Sequence, residues 1–248
     1  MERKIFVSAN RLIDKLVVLV LMATSSFSVA AVNISEAEWL TWPAFCKAGF
    51  LASDWSRGSP FAGKMSEAQV RSIRSTHEMS NGIPGVHHFC IGMVYINRAK
   101  VSKTNPKNPE LLRNAINDIE YSFSRISPGA PKYSLVTAHY GTALYLSGKR
   151  QQAFEIWEKG ISTRPESRES YLAMAEALLK EKKPIDALEV LKRYESAKTT
   201  ETPDAEAFLA FTYIELGQYD KAREHADNAY KLGYPLPGLR SKLERMAK

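Results

Sequence analysis

Small apolar residues recur at a fixed interval along the second half of the chain. They form two series, each spaced by 34 and then 35 positions. The first series is Gly141, Ala175 and Ala210, and the second is Ala153, Ala187 and Ala222. The second series follows the first by 12 positions in every copy. The pattern predicts three copies of a two-helix unit, in which small residues let antiparallel helices approach closely.

Each two-helix unit also carries large apolar residues. They recur at Leu144, Leu178 and Tyr213 and fill the space beside the small residues. One helix pair cannot bury both of its faces, so neighbouring pairs must stack to form a continuous core. The spacing therefore predicts a superhelical stack with a concave face.

The repeated unit resembles the tetratricopeptide repeat, whose period is 34 residues. Besides the small residues given above, the matching positions are the turn glycines Gly148 and Gly217, the turn tyrosine Tyr219 and the closing proline Pro165. The second copy departs from the pattern, because Lys182 and Pro184 stand where the turn glycine and turn tyrosine belong. The resemblance implies an all-α fold, a right-handed superhelical stack of antiparallel helix pairs with repeats at 134–167, 168–201 and 203–235.

Two further helical regions flank the regular copies. Residues 85–131 form a degenerate copy, with Gly92 and Ala115 at the small positions of its two helices. A polar, proline-containing loop at 101–108 explains why these residues are 23 positions apart in place of 12. Residues 236–248 carry apolar residues at three- and four-residue steps, which predicts an amphipathic helix that caps the stack.

The first 30 residues predict export. A basic start is followed by the apolar run 16–23 and then by small residues, the three parts of a secretory signal peptide. Small residues at Ser28 and Ala30 place the cleavage after Ala30, and a cut after Ala31 fits nearly as well. The alternative is an uncleaved inner-membrane anchor at 16–32, although a spanning helix needs about 20 mostly apolar residues. We therefore expect a periplasmic or cell-envelope protein.

The segment 31–84 does not follow the repeat and is predicted to be irregular. Two short motifs lie in it and just after it, Trp42-Pro43-Ala44-Phe45-Cys46 and His87-His88-Phe89-Cys90-Ile91-Gly92. They resemble the opening of a group of exported bacterial repeat proteins. That resemblance implies position and topology, but no chemistry.

The two cysteines, Cys46 and Cys90, have three interpretations. An even number of cysteines in an exported protein favours a disulfide, which would join the N-terminal segment to the first helix pair. Together with His87 and His88, the cysteines are also the candidate ligands of a metal or redox site, although no C-x-x-C or H-x-x-x-H spacing supports one. The third interpretation is a pair of buried, inert thiols.

The charge of the chain and its lack of catalytic motifs argue against several classes of function. The formal net charge is +7, but Lys and Arg form no dense stripe, which argues against nucleic-acid binding. The sequence contains no phosphate-binding loop, nucleophile elbow, paired carboxylates or H-E-x-x-H motif. We therefore expect a non-catalytic scaffold without a cofactor that binds a protein or peptide. The alternative is a redox protein that holds a cofactor or metal with Cys and His.

In tetratricopeptide repeats the concave groove is lined by the first helix of each pair, and the resemblance carries this role to twelve positions. They are Leu135, Ala138, Thr142, Tyr145, Glu169, Leu172, Glu176, Leu179, Asp204, Ala207, Phe211 and Ile214. Most are apolar, three are acidic and none is basic. The Lys and Asn with which some family members bind a peptide's terminal carboxylate are absent there. The resemblance thus implies an apolar helix or extended segment with a basic flank as the partner, and no binding of acidic C-terminal tails.

Overall fold

The structure is a computed structural model that describes residues 33–77, 82–102 and 108–246. Most of these residues are helical. Within those ranges there is no strand, and no helix is long and apolar enough to cross a membrane. The predicted signal peptide lies outside them. The helices are α1 (Glu36–Thr41), α2 (Ala44–Leu51), α3 (Glu67–His77), α4 (Val86–Val101), α5 (Pro109–Phe123), α6 (Tyr133–Leu146), α7 (Arg150–Thr163), α8 (Glu169–Lys180), α9 (Pro184–Ala197), α10 (Pro203–Glu215), α11 (Tyr219–Lys231) and α12 (Gly238–Met246), with a 3-10 turn at Asp54–Ser56.

Eight of these helices form four packed pairs that stack in chain order. The pairs are α4 with α5, α6 with α7, α8 with α9, and α10 with α11. The first helices of neighbouring pairs also contact each other, so α4, α6, α8 and α10 form one row, which we name the inner row. The predicted all-α stack of helix pairs is confirmed, and it includes α4 and α5 from the region of the degenerate copy.

Close packing explains the small residues of the repeat. A methyl group added at Gly141 in α6 would overlap the indole ring of Trp157 in α7, which is almost fully buried. The indole N–H donates to the carbonyl oxygen of Ala138 at 3.1 Å. At Gly92 in α4 an added methyl group would overlap Ile119 of α5. The helices of a pair can approach this closely only because these side chains are absent.

The N-terminal segment contains helices where the sequence predicted irregular structure. Ser35 begins α1 with a capping box, in which its hydroxyl accepts from the backbone N–H of Glu38 at 3.3 Å. The Glu38 carboxylate in turn accepts from the Ser35 backbone N–H at 2.8 Å. Trp39 stacks on Phe61 with 4.5 Å between ring centroids, and both rings belong to the core of the first helix pairs. The segment therefore covers the start of the stack.

Several contacts join this segment to α4, and two of them involve the cysteine pair and Arg98. The sulfur atoms of Cys46 in α2 and Cys90 in α4 lie 2.01 Å apart, at disulfide-bond distance. The Arg98 guanidinium donates two hydrogen bonds to the Glu38 carboxylate, at 2.7 and 2.8 Å. These hydrogen bonds, opposed by burial, lower the pKa of Glu38 to about 2. The carboxylate is therefore ionised near neutral pH and pairs there with the Arg98 guanidinium.

The last helix closes the other end of the stack. Helix α12 packs on α11 and also on α10, so it takes the next place in the inner row. Leu239 is fully buried in the core, and the Lys242 ammonium pairs with Glu215 of α10 at 2.7 Å. Its outer side chains are polar and exposed.

The turn inside each regular pair contains one residue with left-handed backbone. Gly148 and Gly217 occupy this position with φ of 87° and 71°. In the second copy Lys182 occupies it with φ of 59°, and no other non-glycine residue of the described ranges has positive φ. Left-handed backbone costs an L-residue about 1–2 kcal/mol, whereas glycine adopts it freely.

We expect Lys182→Gly to raise the free energy of unfolding by about 0.5–1 kcal/mol, because the relieved strain exceeds the entropy that glycine adds to the unfolded chain. The substitution also removes the ion pair between Lys182 and Glu215, which are 3.5 Å apart. Because the lysine is mostly exposed, this pair contributes little to stability. Urea unfolding measures the change. The reverse exchange, Gly148→Lys, is the matched control and should destabilise by about 1 kcal/mol. A Lys182→Gly protein no more stable than wild type would contradict the strain argument.

Candidate binding face

The structure divides the twelve predicted groove residues into two groups. Four have buried side chains and help to build the core, namely Ala138, Leu172, Ala207 and Ile214. The other eight are partly exposed along the inner row, namely Leu135, Thr142, Tyr145, Glu169, Glu176, Leu179, Asp204 and Phe211. We name these eight residues the inner face. Only this group can contact a partner while the fold stays intact.

The apolar part of the inner face is anchored in the core beneath it. Leu135 packs against the core of the first helix pairs, whereas Leu179 and Phe211 pack against that of the later pairs. Because each of these side chains is held from below, it presents a fixed apolar surface to solvent. The Lys242 ammonium of α12 lies 5.8 Å from the centre of the Phe211 ring. The capping helix thus reaches the C-terminal end of the inner face.

Tyr145 adds a polar group to this surface. Its hydroxyl donates to the carbonyl oxygen of Ala177 in α8, although the distance of 3.4 Å is long. Its ring centroid is 5.9 Å from that of the buried Trp157. Burial, together with the negative charge of Glu181, raises the pKa of the Tyr145 hydroxyl. This side chain therefore stays neutral and acts as a hydrogen-bonding group with an apolar ring.

The acidic residues of the inner face are largely neutralised by bases outside the twelve positions. Glu176 pairs with Lys180 at 2.6 Å and with Lys100 of α4 at 3.6 Å. Although burial opposes its ionisation, these two lysines lower the pKa of Glu176. Asp204 pairs with Arg168 at 3.0 Å. The sequence did not reveal these bases, because they lie between the family positions or, for Lys100, in α4, two helix pairs before Glu176.

His139 lies in the inner row next to the position of Ala138. Its ring centroid is 5.4 Å from that of the buried Phe89, in an edge-to-face contact. Burial lowers the pKa of His139 to about 4, and the positive charge of Lys100 acts in the same direction. The imidazole is therefore neutral near pH 7 and packs against Phe89 of α4.

The Cys and His residues of the alternative metal or redox site have other contacts in the structure. The two cysteine sulfurs lie at bonding distance from each other, and a bridged pair has no thiolate to bind a metal. His88 approaches Asp118 with 2.7 Å between Nδ1 and Oδ1, and its ring stacks on that of Tyr121. His87 faces the ring of Trp55 at 5.4 Å between centroids. Across the described residues, no group of three or more His, Cys, Asp or Glu side chains is placed to hold a metal ion.

The comparisons with known proteins concern the fold. No protein-family model and no curated protein matches this sequence. Among solved structures, the chain is similar to a thermophilic TPR protein of Thermus thermophilus, with a TM-score of 0.50 and 13% sequence identity. The similarity covers 73% of this chain and 88% of that one. At this identity it shows the fold alone, an all-α stack of the tetratricopeptide-repeat type.

Proposed function

We propose that the protein is a non-catalytic scaffold that binds a protein or peptide partner along the inner face. This proposal rests on the row of partly exposed apolar side chains on α6, α8 and α10. Each of these side chains packs against the buried core below it. Folds of the tetratricopeptide-repeat type generally mediate protein–protein interactions, which supports the same conclusion. The stack holds these side chains in place, so the binding surface is formed before a partner binds.

The character of the inner face indicates the chemistry of the partner. Leu135, Leu179 and Phe211 suit the apolar side of a helix or the alternate side chains of an extended segment. Asp204 and Glu176 already have basic partners, so a basic flank would meet mainly Glu169. Acidic C-terminal tails are not expected to bind here, because the lysines beside Glu176 are engaged with it.

Export to the periplasm or cell envelope is the second part of the proposal. The basic start, short apolar run and small residues before Ala31 support a cleaved signal peptide. The placing of Cys46 and Cys90 at disulfide distance also supports it, because disulfides persist in oxidising compartments. An anchor formed by residues 16–32 would keep the protein at the inner membrane instead.

Substitutions that place two negative charges on the inner face test the binding proposal. A Leu135→Glu, Leu179→Glu double variant should reduce capture of the partner from source-cell extracts at least tenfold, because apolar contacts at the centre of an interface carry most of the affinity. Leu172 is unsuitable for this purpose, because it is only 9% exposed and its substitution would disturb the core.

The matched control is Ile185→Glu, which places the same charge on an apolar residue of α9 that is 64% exposed. It should leave capture unchanged. Circular dichroism of all three proteins must show equal helical content. Equal capture by the double variant and wild type would place the partner elsewhere on the molecule.

Export is tested on protein released from the periplasm of the source cell. Intact-mass measurement should show a chain that begins at Ala31, and non-reducing peptide mapping should recover the Cys46 and Cys90 peptides joined. Protein expressed in the cytoplasm without residues 1–30 is the control, and should yield alkylated thiols. A mass that retains residues 1–30 would support the anchor instead, and two free thiols in the periplasmic protein would exclude the disulfide.

A further inference from the structure

A second candidate site lies at the helix ends, away from the inner face. A cleft of about 340 Å³ opens between the start of α5 and the turn that joins α6 to α7. Its apolar lining comes from Leu112, which is almost fully buried, and from Ile116, Leu146 and Pro109. None of the inner-face residues lines it. The volume is at the lower end of the range for small-ligand pockets, which suits one or two apolar groups.

Two cationic side chains line this cleft, and no counter-ion for either lies in the described part of the chain. Arg113 of α5 and Lys149 both line it and are exposed. Neither has an ion-pair or side-chain hydrogen-bond partner among the described residues, whereas Arg150, the next residue along, pairs with Glu181 at 2.6 Å. Among the described residues that line the cleft, none is acidic. Lys149 also immediately precedes α7, whose N-terminal end adds positive potential. The cleft therefore favours a ligand that carries a negative charge beside an apolar group.

Two uncharged polar side chains line the same cleft. Asn117 offers both an amide donor and a carbonyl acceptor, and the structure gives it no side-chain partner in the described ranges. The Ser147 hydroxyl donates to the carbonyl oxygen of Leu144 at 2.7 Å, which leaves its oxygen free to accept. A ligand with peptide groups can use both the donor and the acceptors. A fatty acid has only a carboxylate as its polar group, so it cannot donate a hydrogen bond to the acceptors of Asn117 and Ser147.

We infer that this cleft binds the C-terminal residue of a protein chain. An apolar side chain would lie against Leu112 and Ile116, and the free α-carboxylate would face Arg113 and Lys149. This site is independent of the proposed inner-face function, because it shares no residue with it. It takes a single terminal residue, whereas the inner face takes a helix or an extended segment.

The probes are six-residue peptides of Gly and Ser that end in Leu. One carries a free carboxylate, the second ends in an amide, and the third has the free carboxylate but ends in Ser. Titration into isotope-labelled protein should give saturable shifts of the backbone N–H signals of Asn117, Ser147 and Gly148 with the first peptide. The other two should bind at least tenfold more weakly, because each lacks either the charge or the apolar group.

Variants of the protein test the residues that are proposed to hold the ligand. Arg113→Gln and Lys149→Gln should each weaken binding of the Leu carboxylate peptide about five- to tenfold. Lys192→Gln removes an exposed lysine of α9 and should bind as wild type does. The Leu135→Glu, Leu179→Glu variant should also bind as wild type does, so failure of one site is distinguishable from failure of the other.

Three results would overturn the inference. They are the absence of saturable shifts, equal binding of the carboxylate and amide peptides, and binding of octanoate at this cleft in the absence of peptide binding. The last result would assign the cleft to a lipid-like acid.

Discussion

The whole structure depends on one constraint, which is that a two-helix unit cannot bury both of its faces by itself. Each pair is covered by the next, and the two ends of the stack need covers of their own. At the start, α2 packs on α4, and the Cys46 and Cys90 sulfurs and the Glu38–Arg98 ion pair hold the segment there. At the end, α12 buries Leu239 and presents polar residues outward. Four pairs thereby form a rigid scaffold without exposing their core.

The same constraint shapes the candidate binding face. Side chains of the inner row must first complete the core, which is why Leu172 and Ile214 are buried and only eight of the twelve groove positions stay partly exposed. The cap at the C-terminal end also limits this face, because Lys242 lies over the ring of Phe211. Ion pairs with Lys180 of the same helix and Lys100 of α4 neutralise Glu176, so the inner face combines apolar side chains with little unpaired charge. A surface of this kind favours recognition by shape and apolar contact over recognition by charge.

The sequence predicted the stack because its strongest signal has a direct physical cause. Gly141 and Gly92 are small where helices touch, so the repeat is visible even in the degenerate copy with its long loop. The N-terminal helices were missed, because their core is built from rings such as Trp39 and Phe61 that follow no helical period. The ion pairs that neutralise the groove acids were not predicted, for a different reason. Lys100 reaches Glu176 across 76 positions of sequence, and family positions alone do not reveal such a pair.

Binding through the inner face requires that a partner occupies this face in the cell. Site-specific photo-cross-linking tests it most directly, with a photoreactive amino acid placed at Thr142 of α6 in one protein and at Ile185 of α9 in another. Both positions are partly or largely exposed, but only Thr142 belongs to the inner face. Irradiation of source cells should join a discrete partner to the protein labelled at Thr142 and none to the protein labelled at Ile185. Adducts at Ile185 alone, or the same adducts at both positions, would contradict binding through the inner face.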